Sequence, residues 1–387
     1  MECFDVPSVE SFTQDVRDYL WGYCMRVNKL WISFFALKFG YMFLALFVYS
    51  RFTTLGDTDR YLSGQILSLN LWLFNSTLMM DAIAGSSAFF LGPIWGNIPF
   101  VCLSTYGIYY AVKKLDLEKN ELLFLLLMLS LPNFGIWTSI ASKEAVTVFF
   151  LGVILGFAID LIKNNRNKDY LLVGVAFYLC GVFKPHYLIG IFSLIFYIYT
   201  SKKLNLKGEG KLILFVLFYI FSFALLYIFK NEINVLSFQI IDHFDQGASA
   251  TRVNTMWLKD YDIFRNAFFG MMIAFIGPTL SEGLGRPTHL LVLLESLLIV
   301  SVFVYLVIRF IYISLKKGRL NIFLVALFAI PASWILFVHY PVGVLNPGSA
   351  LRYRQGFYGF LAILFCFCYT EAKRRGSSFR LSNSLTF

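Results

Sequence analysis

The segment Gly56-Asp57-Thr58-Asp59-Arg60-Tyr61 sets two carboxylates and a guanidinium at the mouth of a long apolar run, residues 31–52. Charge is costly at the edge of a hydrocarbon layer. It persists there when it pairs, meets water or carries chemistry. A carboxylate in that position can act as a general base, with its neighbour orienting it or holding a metal. Asp57 is the first candidate for catalysis and Asp59 the second; the plainer alternative is a solvated turn with a local Asp–Arg pair.

Cations recur at comparable places. Arg352 and Arg354 precede the last apolar run, in Leu351-Arg352-Tyr353-Arg354-Gln355. The planar guanidinium fork suits phosphate because it donates two parallel hydrogen bonds, so these two are candidate ligands of a lipid diphosphate; contact with phospholipid head groups is the simpler alternative. Lys143-Glu144 opens an apolar run after a Pro132–Trp137 turn. Glu144 suits a helix N-terminus and Lys143 does not, which makes Lys143 the more suggestive of the two. Lys184-Pro185-His186 puts a cation and a titratable imidazole at one boundary. Asp242, His243, Asp245 and Arg252 in one stretch, and Glu282, Arg286 and His289 in another, form weaker clusters. No cysteine or histidine spacing marks a metal site, and no cofactor is expected, although a divalent metal is compatible with the carboxylates.

These residues need elements to position them. The chain has 387 residues, 58% hydrophobic and 14% charged, against roughly 45–50% and 25% in soluble domains. Apolar runs of about 20 residues recur along it, so the fold expected is an all-α, polytopic helical membrane protein. Runs near 30–52, 89–112, 121–136, 145–161, 170–183, 187–200, 212–229, 290–312, 321–337 and 356–369 give about ten spans. Residues 1–29 form an inner N-terminal segment, 30–371 one membrane domain and 372–387 an inner tail. Loops at Lys113-Lys114, 163–168, 202–211 and 316–319 carry plain lysine and arginine, which assigns them and both termini to the cytoplasmic side. The same bias explains most of the net charge of +10 without nucleic acid. The longest outer connections are 53–88, 230–289 and 338–355, and all four histidines fall outside. A stretch at 66–78 reads as an interfacial helix and 267–276 as a re-entrant one. Lys38, inside the first run, is expected to snorkel to the inner face. Charges within the runs are few, which argues against a channel or an ion-coupled pump. No Walker A sequence, Rossmann glycine signature or nucleophile elbow is present.

The chain resembles the polytopic O-antigen and capsule repeat-unit polymerases and, more loosely, membrane glycosyltransferases of the GT-C type. Three features carry the resemblance: Gly56, Asp57 and Tyr61 after the first run; Pro132, Trp137, Ser139, Lys143 and Glu144 between the third and fourth; and Arg352-Tyr353-Arg354 before the last. The hydrophobic profile matches along nearly the full length. The resemblance implies a GT-C-like fold in the bacterial inner membrane. It implies undecaprenyl-diphosphate-linked oligosaccharides as substrates at the periplasmic face, and a chain-length regulator and a flippase of the same pathway as partners. The reaction implied moves a growing glycan from its lipid diphosphate to the next lipid-linked unit. Asp57 or Asp59 would act as base. Arg60, Lys143, Glu144, Lys184, His186, Arg252, Arg286, Arg352 and Arg354 would form the diphosphate and substrate contacts. A GT-C transferase adding one sugar from a polyprenyl-phosphate donor, and a flippase for lipid-linked sugars, are the alternatives.

Overall fold

A chain this apolar must bond its backbone polar groups internally, which favours helices throughout. The computed structural model describes residues 9–64, 69–165, 169–245, 252–285, 287–316 and 320–374, and among these every regular element is helical. The elements are α1 (Val9–Phe47), α2 (Thr58–Leu62), α3 (Leu69–Trp72), α4 (Ser76–Trp95), α5 (Ile98–Val112), α6 (Lys119–Met128), α7 (Pro132–Trp137), α8 (Lys143–Lys163), α9 (Tyr170–Phe183), α10 (Tyr187–Lys203), α11 (Gly208–Ile228), α12 (Lys230–Asp245), α13 (Asp262–Arg265), α14 (Ala267–Ile276), α15 (Leu280–Gly285), α16 (Pro287–Lys316), α17 (Ile322–Leu345) and α18 (Pro347–Arg374). Among the described residues, seven helices are long and apolar enough to cross a membrane: Asn28–Arg51, Ser76–Trp95, Lys143–Lys163, Gly208–Ile228, Ala267–Gly285, Thr288–Lys316 and Ile322–Leu345. The chain is a helical membrane protein.

The core is built around α8 and α18. Most of α8 is buried, against α5, α9 and α18. Small residues let the backbones touch: a Cβ on Gly107 would meet the Phe149 Cα at 2.5 Å, and one on Gly152 the Gly107 carbonyl oxygen at 2.2 Å. Close backbone approach of this kind is how helices associate where lipid removes the hydrophobic driving force. At the other extreme, α11 buries none of its residues.

Three connections differ from the sequence reading. The run expected as one span at 89–112 is two helices: α4 and α5 are separated by a break that starts at Gly92 (φ 82°) and Pro93. Proline removes a backbone donor and clashes with the preceding turn, and only glycine reaches that φ without strain. The connection at 53–88 therefore contains much of α4. The stretch at 338–355 is not a loop: α17 runs through His339 and Tyr340 to Leu345, and α18 begins at Pro347 after the extended Asn346. The stretch at 230–289 is largely helical as α12 to α15.

The element that matters most for the site is the break between α6 and α8. Residues 133–142 are all buried, yet 138–142 are not helical. Irregular backbone at this depth survives only if side chains take the place of the missing ladder. Lys38 Nζ donates to the Thr138 carbonyl at 2.7 Å and to its hydroxyl, and Ser104 Oγ donates to the same carbonyl at 2.6 Å. Asn97 Oδ1 accepts from Ala141 N at 2.7 Å, Thr58 Oγ1 donates to Ala141 O at 3.2 Å, and Ser142 Oγ donates to Trp137 O at 2.6 Å. Lys38 does not snorkel. It is 1% exposed and holds this turn in place.

Candidate functional site

Asp57 is the residue before α2, and Gly56 turns the chain into it with φ 62°. Glycine is needed there twice over. The left-handed region disfavours other residues, and a Cβ would stand 2.0 Å from Arg352 Nη1. The guanidinium thus lies directly on the Gly56 backbone. Its Nη2 is 3.4 Å from Asp57 Oδ2 and its Nε 3.3 Å from Glu144 Oε1. Arg352 also faces the rings of Tyr353 at 5.1 Å and Trp137 at 5.9 Å. One cation, 295 residues along the chain from Asp57, bridges two carboxylates on two elements.

The two carboxylates differ in access. The Glu144 side chain is 3% exposed and the Asp57 side chain 41%, so Glu144 anchors the guanidinium from below while Asp57 faces the open side. Tyr61 Oη donates to Asp57 Oδ2 at 3.3 Å. Burial, reinforced by the Asp57 charge, pushes the Tyr61 phenol above its ordinary range, so it stays a donor at neutral pH.

Two further cations complete the site. Lys143 Nζ is held by the Ser76 and Thr77 hydroxyls at 3.0 and 2.8 Å. Lys184 Nζ lies over the Tyr353 ring at 4.3 Å and the Tyr187 ring at 5.9 Å. Neither has a carboxylate in ion-pair range among the described residues. Desolvation pulls the Lys184 amine down to about 8, against the opposing pull of Glu144 and with help from Lys143 and Arg352. Three cations thus surround two carboxylates, and the inner site keeps a surplus of positive charge.

Lys202 Nζ bonds the Leu161 and Ile162 carbonyls and so ties the C-terminal end of α10 to that of α8. α10 is the shorter helix, with 17 residues against 21. Before its first turn, Lys184 is half-buried while Pro185 and His186 are exposed.

The remaining candidates divide. Arg60 pairs loosely with Asp81 at 3.7 Å and stacks on Tyr61 at 4.8 Å, while Asp59 is exposed on the outer side of α2; both belong to the rim. His186 is exposed, and its carbonyl accepts from Trp334 Nε1 at 2.7 Å. Arg354 is not a ligand-facing residue. It is fully buried, with Nη1 bonded to Phe275 O at 2.8 Å and Ser296 Oγ at 2.6 Å, and Nη2 is 3.9 Å from Glu295. Glu295 in turn accepts from Asn133 N and Nδ2 at 3.0 and 2.9 Å. Residues two apart on a helix do not share a face. Once α18 begins at Pro347, Arg352 and Arg354 must point to different neighbours. Arg252 is also an anchor: its fork grips Glu282 with both contacts at 2.7 Å and bonds the Gly277, Gly343 and Val344 carbonyls. Arg286 lies outside the described residues. Among the described residues no group of three or more histidines, cysteines and carboxylates is arranged to hold a metal.

Tyr61, Tyr353, Tyr187, Ser76 and Thr77 join the site although sequence reasoning assigns no role to their side chains. Ser76-Thr77 at the start of a long apolar helix was a visible signal for the last two. No protein-family model matches the chain, and no curated protein or solved structure does either. The class that the fold defines is accordingly the helical membrane protein, and the site is read from its own chemistry.

Proposed function

We propose that this chain polymerises lipid-linked oligosaccharide repeat units, carried on undecaprenyl diphosphate, into a surface polysaccharide at the periplasmic face of a bacterial inner membrane. The observation that carries the reading is the convergence of Asp57, Arg352, Glu144, Lys143 and Lys184 in one cluster, with an accessible carboxylate and two cations not matched by carboxylates. In this reading α5, α9, α10 and α18 cross the membrane with the seven longer helices or dip into it, and the lysine-rich connections lie inside.

Glycosyl transfer to a hydroxyl needs three things: a base for the departing proton, positive charge for the leaving diphosphate, and a fixed approach. Asp57 takes the proton of the acceptor hydroxyl as its oxygen bonds to the anomeric carbon. Lys143 and Lys184 stabilise the diphosphate as the glycosidic bond to it breaks. Arg352 keeps Asp57 aimed, and Glu144 and the Gly56 backbone hold Arg352. Tyr61 orients the second lone-pair direction of Asp57. Asp59 and Arg60 at the rim meet the sugar rather than the diphosphate.

A flippase would line a membrane-crossing cavity with cations. The buried cations Lys38 and Arg354 are instead bonded to backbone and side chains, which favours the enzyme. A transferase that adds a single sugar differs in product. Cells lacking the chain should accumulate lipid-linked single repeats and lose the long-chain ladder on a polysaccharide gel. A normal ladder would remove the reading, and a ladder shifted by one sugar per repeat would favour the single-addition enzyme.

A further inference from the structure

A cavity of about 450 Å³ opens between α11 and α17; α11 packs on the edge of the bundle against α10 and α17 and buries none of its residues fully. Tyr219 fixes the cavity floor: its hydroxyl donates to Ala329 O at 3.2 Å and is 3.1 Å from Ser333 Oγ. That tether sets the spacing of the two helices. Phe223, Phe264, Trp334 and Phe337 supply aromatic walls. At the end of the cavity where α11 gives way to α12 stands Lys230, over the Tyr227 ring at 4.3 Å and the Tyr261 ring at 5.9 Å, in no ion pair among the described residues. The wall is also joined to the site already described, because Trp334 donates to the His186 carbonyl in the Lys184 turn.

An apolar, ring-lined slot with a cation free of carboxylates at one end is complementary to an anionic head on a long apolar chain. We propose that this cleft seats the isoprenoid chain of a second lipid-linked substrate, the acceptor, with its diphosphate against Lys230. The inference rests on the polymerase reading. Joining two lipid-linked units requires two diphosphate lipids bound together, and the pair Lys143 and Lys184 serves the one whose diphosphate departs.

The test uses the full chain in phosphatidylcholine nanodiscs and an isoprenoid diphosphate carrying a benzophenone. Photolabelling should fall on α11 and α17. It should drop at least tenfold in Lys230→Glu and in Ser222→Trp, which fills the cavity from its α11 wall, stay unchanged in Asp57→Asn, and resist excess phosphatidylglycerol. Labelling absent from these helices, or unchanged in Lys230→Glu, overturns the proposal. So does displacement by phosphatidylglycerol, which would make an ordinary anionic bilayer lipid the occupant. The same nanodiscs supplied with lipid-linked repeats separate the two ideas: labelled α11 and α17 without any joined product removes the polymerase and leaves the cleft as an isoprenoid diphosphate site, whereas joined product with no label there removes the cleft alone.

Discussion

At the scale of single residues, the arrangement makes Gly56 as important as any charged group. A methyl at that position collides with the Arg352 guanidinium and also meets an unfavourable φ. Gly56→Ala should lower transfer at least a hundredfold while the protein still inserts and elutes as a single species; activity near wild type would mean that Arg352 has no fixed place. Arg352→Lys keeps the charge but cannot touch Asp57 and Glu144 from two nitrogens of one plane, so a loss of tenfold or more in turnover is expected in a purified assay. The pH behaviour turns on Lys184. Its amine is cationic below about 8 and neutral above it, so diphosphate affinity should be full near pH 7 and decline as the pH passes through 8 to 9. Lys184→Arg should push that decline beyond pH 10, measured as KM against pH. A profile identical in both proteins would release Lys184 from the leaving-group role.

At the scale of elements, the site depends on irregular backbone held by distant side chains. Lys38→Met removes a donor from the Thr138 carbonyl in a buried turn, and an unmet buried polar group costs about 1–3 kcal/mol. Ser104 keeps one bond to that carbonyl, so the variant should fold with a lowered melting temperature and reduced transfer, read by thermal unfolding in detergent and by assay. The α14–α16–α18 junction is less forgiving. Glu295→Ala leaves the fully buried Arg354 with carbonyl and hydroxyl partners but no counter-charge, and breaking such a pair costs about 3–5 kcal/mol. That variant should be recovered at much lower yield than Glu295→Gln, which retains the acceptor for Asn133. A Glu295→Gln yield equal to that of the wild type would show that the ion pair contributes nothing to the fold.

At the scale of the whole molecule, the apolar composition and the recurrence of long runs were enough to read a helical membrane protein, because lipid allows few ways to satisfy a backbone. Asp57, Arg352, Glu144, Lys143 and Lys184 were also visible, as charges at the mouths of those runs. What the one-dimensional pattern hid was direction. Arg352 and Arg354 look equivalent as letters two apart; only the continuation of α18 back to Pro347 sends one to Asp57 and the other to Glu295. Lys38 looked like a snorkelling anchor because its partner, Thr138, lies 100 residues away. Arg252 looked like a ligand for the same reason, with Glu282 and the α17 carbonyls beyond local view. The break at Gly92–Pro93 was local and legible, but the apolar run continued through it and masked the turn.

Purified protein in vesicles, supplied with lipid-linked repeat units, brings these scales together. Wild-type protein should convert single repeats into a ladder, and Asp57→Asn, which preserves size and hydrogen bonding but not basicity, should make no chains while still binding the lipid diphosphate. A full ladder from Asp57→Asn would contradict the assignment of the transfer chemistry to this cluster.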